Sequence, residues 1–300
     1  MENAELSQLY IEHKPLLFSL AYKMTGSIAD AEDVIQDVFI KLNEYELKHS
    51  KNVKAFLCKL VTNRCLDMLK SSKKKRELYV GTWLPEPIAA IETDPLQEMM
   101  MKHDMSYALL VLFEQLNPIE RAIFILREIL EYDYETIAEI VQKKEANCRK
   151  ILSRIKKTLP ELEKQIMVES VKEDHKQVIT CFINAIQQGN TNQLMEVLGE
   201  DIAYYADGGG KVTAAAKPIY GAVRVQKLLI SLATKFLTNQ DEYSMRQTEV
   251  NGSPGIVITD RTGIQAVMSF EFEGNKMKSI YIVLNPDKLK HFHIDIDPVN

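Results

Sequence analysis

Tryptophan occurs once in the 300 residues, cysteine four times, glycine 12 times and proline 10 times. So little Gly and Pro excludes collagen-like and low-complexity chains. No apolar run reaches the ~18 residues that would read as a membrane-spanning helix. The start, Met1-Glu2-Asn3-Ala4-Glu5, lacks the basic and apolar regions of a signal peptide, so the expected location is the cytoplasm. The cysteines, Cys58, Cys65, Cys148 and Cys181, form no CxxC pair and no cluster with histidine, which argues against zinc and redox chemistry. Cys58 and Cys65 lie on one helical pattern and read as two small core residues. What is present is ordinary for a folded chain: 46% apolar and 26% charged residues, in a length that suggests about two domains.

The net charge of −5 hides a segregation. Residues 48–77 carry ten Lys and Arg against Asp67 and Glu77, and residues 143–157 carry seven against Glu145. Two basic stripes on an acidic background suit contacts to a phosphate backbone.

Residues 1–162 read almost wholly as helix, with apolar side chains at three- and four-residue steps. Thr25-Gly26 breaks the first helix, and Ser27 caps a second whose core face is Ala31, Val34, Ile35, Val38, Phe39 and Leu42. A third helix spans about Val53 to Lys70. Residues 71–102 lose the period and carry Pro85, Pro87 and Pro95, the pattern of a linker. Within it, Trp83-Leu84-Pro85-Glu86-Pro87 is too apolar to float free. Asn117-Pro118-x-Glu120 is a capping box. Asp133 caps the helix Tyr134–Val141, and a short polar turn leads to a basic helix, Glu145–Leu159. Two helices joined by so short a turn predict a helix-turn-helix, although the turn has no glycine. From about residue 170, helices give way to β-rich segments with hairpin turns at Asn251-Gly252 and Glu273-Gly274-Asn275. This order predicts an α+β domain with helices on one face of a curved sheet.

Several stretches now resemble one family. Residues Asp30–Phe39, DAEDVIQDVF, are similar to the polymerase-binding helix of region 2 in bacterial sigma-70 factors of the extracytoplasmic-function class. Residues 55–67 resemble the helix that reads and melts the −10 element, and residues 133–159 resemble region 4, the −35 reader. WLPEP at 83–87, DGGGK at 207–211 and NPDKL at 285–289 resemble the three signatures of the subgroup with a fused SnoaL-like domain, a cone-shaped, nuclear-transport-factor-like α+β fold. The resemblance implies a multidomain chain: region 2 at 1–72, a linker at 73–102, region 4 at 103–162 and a SnoaL-like regulatory domain at 168–300. It implies core RNA polymerase and promoter DNA as partners, the −35 element as duplex and the −10 element melted. It also implies control in cis in place of a separate anti-sigma factor.

The candidate sites follow. Asp30, Glu32, Asp33, Gln36 and Asp37 offer an acidic face to a basic surface, with Phe39 as an aromatic anchor. Lys54, Lys59 and Arg64 suit phosphates near a melted −10 strand, and Asn63 suits a base edge. Asn147, Lys150, Ser153 and Arg154 suit −35 bases, while Arg149, Lys156 and Lys157 suit phosphates. Trp83, Leu84 and Pro85 are expected to meet Asp207, Gly208, Gly209, Gly210 and Lys211, together with Asn285, Pro286 and Asp287; Asp207 and Lys211 would supply fixed polar contacts. DGGGK lacks the spacing of a phosphate-binding loop. The tail, His291 to Asp297, alternates His and Asp with apolar residues and reads as packing onto the fold rather than as a metal site. No catalytic residue, cofactor or metal is expected, and a small ligand of the C-terminal domain stays open. The alternative is a helix-turn-helix regulator fused to a ligand-sensing or enzymatic SnoaL-like domain. Such a regulator has no need of the Asp30–Phe39 motif.

Overall fold

The computed structural model describes residues 3–42, 52–89, 106–162, 173–238 and 243–294. The chain divides into two units, one helical and one α+β.

The helical unit begins with α1 (Asn3–Thr25) and α2 (Ile28–Leu42). The break between them is the one Thr25-Gly26 predicts: Gly26 takes a φ of 70°, and the Asp30 amide donates to Ser27 Oγ at 3.3 Å. Helix α3 (Val53–Glu77) runs seven residues past Lys70, so the linker begins at Leu78 rather than at 73. The short α4 (Tyr107–Phe113) leads to α5 (Pro118–Phe124). There the capping box forms reciprocally: Asn117 Oδ1 accepts from the Glu120 amide, and Glu120 Oε2 from the Asn117 amide, both at 3.0 Å. The helix continues through a π-turn over Ile125–Ile129.

Helices α6 (Tyr134–Val141) and α7 (Glu145–Thr158) form the helix-turn-helix. The missing glycine is explained by Gln142, which takes the left-handed conformation at φ 53° itself. The sequence suggests that regions 2 and 4 are separate domains. In the structure they share one unit, and Arg121, only 3% exposed, donates to the Met24 carbonyl of α1 at 2.6 Å. Cys58 and Cys65 sit fully buried, and burial raises both thiols above their ordinary pKa, as expected of inert core residues.

The α+β unit comprises α8 (Glu173–Gln188), α9 (Thr191–Val197), β1 (Leu198–Asp207), β2 (Ile219–Tyr220), α10 (Ala222–Thr238), β3 (Tyr243–Val250), β4 (Ser253–Asp260), β5 (Gly263–Glu273), β6 (Lys276–Val283) and α11 (Pro286–Leu289). The six strands form one sheet in the order β2-β1-β6-β5-β4-β3. Only the β1–β6 pair is parallel. Alternation selects the faces: Ile202, Tyr204 and Ala206 of β1 join Ile256, Ile258, Met268, Phe270, Ile280 and Ile282 in one core with α8, α9 and α10. Residues 78–89 and Tyr107 belong to this unit. Ala89 forms an antiparallel bridge to Val250, and Asn251 exchanges two hydrogen bonds with Ile88, at 2.8 and 3.1 Å. Phe292 is buried, which anchors the start of the tail; Asp295 to Asp297 lie outside the described residues. Among the described residues no helix is long and apolar enough to cross a membrane.

Candidate functional site

Helix α2 sorts its acidic residues by where the core stripe leaves them. Glu32, Asp33 and Gln36 are exposed on one side, with Ile40 on the same strip at 64% exposure. Asp30 is half-buried. Asp37 is half-buried too, and it is bridged to Arg64 of α3, whose Nη2 and Nε lie 2.7 Å from Oδ2. Two expectations therefore change. Phe39 is not an exposed anchor: it is 7% exposed and meets Tyr10 edge-to-face at 5.0 Å. Its place at the end of the strip is taken by Ile40, eight residues after Glu32 and four after Gln36. That spacing was readable, but an isoleucine at a core-helix end passes for core.

On α3, Lys54 is exposed and Lys59 and Asn63 are half-buried, one turn apart. Arg64 is held by Asp37, so it serves first as a tie between α2 and α3. The side chains of residues 72–77, which include the basic run Lys73–Arg76, lie outside the described residues.

Six of the seven candidates on α7 are exposed: Asn147, Arg149, Lys150, Ser153, Arg154 and Lys157. The last five line one shallow depression of about 460 Å³. Cys148, Leu152 and Ile155 bury the opposite stripe, which fixes this rotation of the helix. Arg149 is steered by Glu145 at 2.9 Å and lies over the Tyr134 ring, 4.2 Å from its centroid. Arg154 pairs with Glu120 of α5. Lys156 is half-buried against Glu128 at 2.9 Å, which removes it from the phosphate contacts expected.

The three signature motifs converge in the α+β unit. Asp207 ends β1 fully buried. Its Oδ2 accepts from the Leu84 amide at 2.8 Å and from Lys288 Nζ at 2.8 Å; its Oδ1 accepts from the Tyr79 hydroxyl at 2.5 Å and from the Gly209 amide at 3.0 Å. Lys288 also donates to the Leu84 carbonyl and stands over the Trp83 ring, 3.9 Å from its centroid. Thus one carboxylate and one ammonium grip both main-chain polar groups of Leu84. Asn285 Nδ2 donates to Tyr79 Oη at 2.9 Å. Burial and the Asp207 carboxylate push the Tyr79 phenol above its ordinary pKa. Leu84 is fully buried, Pro85 is buried with its carbonyl accepting from Tyr107 Oη at 2.6 Å, and Trp83 is only half-buried.

The loop glycines permit this closeness. At Gly209, φ is 58° and an added Cβ would stand 2.2 Å from Asn285 Nδ2; at Gly210 it would stand 3.2 Å from Val80. One expected contact differs. Lys211 does not reach the linker but pairs with Asp287, and Lys211 and Lys290 together hold that carboxyl below the usual range. The polar grip comes from Lys288 instead. That residue and Tyr79 went unread: Lys288 sits inside NPDKL, where a charged residue on a four-residue helix passes for surface, and Tyr79 lies outside every motif.

The profile of sigma-70 region 2 matches residues 9–75, and that of sigma-70 region 4 matches residues 106–168. The ECF RNA polymerase sigma factor SigJ of Mycobacterium tuberculosis is 26% identical over 284 residues, 91% of this chain and 89% of its own. The probable ECF RNA polymerase sigma factor SigI of the same organism is 26% identical over 286 residues, 95% of this chain and 94% of its own. The crystal structure of SigJ superposes with a TM-score of 0.77 over 95% of this chain and 99% of that one, at 24% identity, and so shares the whole fold. With both regions matched and the helical and α+β parts in the same order, the chain belongs to the sigma-70 family, in its extracytoplasmic-function class.

Proposed function

We propose that this sigma factor binds core RNA polymerase through the exposed strip of α2 and directs it to promoters whose output is set by its own C-terminal domain. Glu32, Asp33, Gln36 and Ile40 offer carboxylates around an apolar anchor, the make-up of a surface that docks on a basic partner. Lys150, Ser153 and Arg154 face −35 base edges; Asn147 sits at the entry of the same helix, and Arg149 and Lys157 hold phosphates. Lys54, Lys59 and Asn63 hold an opened −10 strand. The work is binding, in the cytoplasm beside the polymerase, with no catalytic step.

The observation that carries control in cis is the grip of Asp207 and Lys288 on Leu84. Residues 78–89 continue directly from α3, so a domain that seizes them restrains the segment that joins region 2 to region 4. A separate anti-sigma factor is then unnecessary. The test is reconstituted transcription with core polymerase and the full chain. Leu84→Asp should keep polymerase binding yet change promoter output at least several-fold. Output equal to that of the unaltered chain would show that the grip has no regulatory role.

A further inference from the structure

Inside the α+β unit lies a cavity of about 760 Å³, walled by the inner face of the sheet, by α8 and by α10. That volume is typical of a pocket for a small organic molecule. Phe182, Leu229, Met245 and Met268 make most of its surface apolar, and among the described residues its lining contains no Asp, Glu, Lys, Arg or His. An unpaired ion would be costly to bury there, so the fitting occupant is neutral.

Four polar side chains break the apolar wall: Tyr204, Thr213, Tyr243 and Gln265. Tyr204 is 3% exposed and lines the cavity. Gln265 is half-buried, with its amide nitrogen committed to Asp260 Oδ1 at 3.0 Å and Thr262 Oγ1 at 2.8 Å, which leaves its carbonyl oxygen as an acceptor. An apolar pocket with a few placed polar groups is how small-molecule sites are built.

The cavity wall is also chained to the grip on the linker. Leu284 lines the cavity, and its amide donates to the Asp207 carbonyl at 2.8 Å. Val212 lines it too, and its amide donates to the Gly208 carbonyl at 3.0 Å. Asp207 therefore holds the cavity wall with its main chain and Leu84 with its side chain.

We propose that this cavity binds a neutral, largely apolar small molecule carrying one hydrogen-bonding oxygen, received by Tyr204, and that occupancy tightens the grip on residues 78–89 through Asp207. The coupling rests on the reading of control in cis; the site does not. An occupant orders the 207–215 wall, and an ordered wall costs the linker less to hold.

The probe is Prodan, a neutral naphthalene ketone whose emission shifts to the blue in apolar surroundings, titrated into the full chain. A saturable blue shift is expected. Tyr204→Phe, which keeps the ring and loses the hydroxyl, should weaken binding about 5- to 10-fold, the worth of one neutral hydrogen bond. Ala266→Phe, which fills the cavity, should abolish it. No blue shift, or unaltered binding by both variants with native circular dichroism, would overturn the site. Hydrogen exchange of residues 78–88 and 207–215 should slow at saturating dye. Binding with unchanged exchange there would overturn the coupling. Slowed exchange with unchanged transcription would instead count against control in cis.

Discussion

Asp207 and Lys288 are both nearly inaccessible, at 0% and 7% side-chain exposure, and they stand 2.8 Å apart. Two charges out of water are held in register only because each also meets polar groups of Leu84 and Tyr79. Removing one strands the other. Lys288→Met alone should destabilise the α+β unit by about 3–5 kcal/mol, while Asp207→Asn with Lys288→Met should cost clearly less than the sum of the single changes. Urea unfolding of the four chains checks this; additive costs would mean that the pair is not coupled. A second buried lysine acts alone. Lys23 of α1 is 5% exposed, donates to Ser19 Oγ and to no other group among the described residues, and burial lowers its pKa from 10.5 to about 8. The unfolded chain therefore binds more protons between pH 8 and 10.5, so stability rises with pH across that window and the cost is full below it. Lys23→Met should stabilise the protein at pH 7 by roughly 1–3 kcal/mol, and the gain should shrink toward pH 10.5. A gain independent of pH would contradict this assignment.

At the scale of elements, α2 and α7 each present one face to the core and one to solvent. Asp37 ties α2 to α3 through Arg64, so reversing its charge tests the fold as much as the interface. Glu32→Arg with Asp33→Arg touches exposed positions only. That pair should reduce association with core polymerase by several kcal/mol while leaving circular dichroism and melting unchanged, as read by co-elution. On α7, Lys150→Ala should weaken promoter binding and relax one −35 position by about 1–3 kcal/mol; Lys157→Ala should weaken all sequences alike and lower the salt slope by about 1. The elements themselves were legible because caps and periodicity agree: Ser27, Asn117 and Asp133 all cap where the spacing places them. What periodicity does not show is which of two partners a charge prefers. Arg64, Arg154 and Lys156 read as free cations, yet each finds an acid 27, 34 or 28 residues away. Such pairs depend on tertiary placement. Lys288 was hidden for the same reason, since its partners at Leu84 and Asp207 lie 204 and 81 residues distant.

At the scale of the whole molecule, a sigma factor must bring two readers to two promoter elements at once, and the segment between them sets how often both can engage. Residues 78–89 are that segment's first part, and in this structure they are gripped. The anchoring side chain is Leu84, whose full burial stabilises by about 1.5–3 kcal/mol, enough to bias held against released by roughly 10- to 150-fold. Gly209→Val attacks the grip from the far side. It places a branched side chain at φ 58°, where its Cβ would meet Asn285 at 2.2 Å, and Asn285 is what steadies Tyr79. Trp83 reports the result, because it is the single tryptophan and is half-buried beside Lys288. In the unaltered chain its emission should sit to the blue of free solvent, and acrylamide should quench it slowly. In Gly209→Val both should move toward the values of a free indole, with promoter output changing in the same preparation. Helix α7 stands outside the altered loop, so duplex −35 binding should hold. A Trp83 signal that stays put while output changes would separate transcription control from this grip.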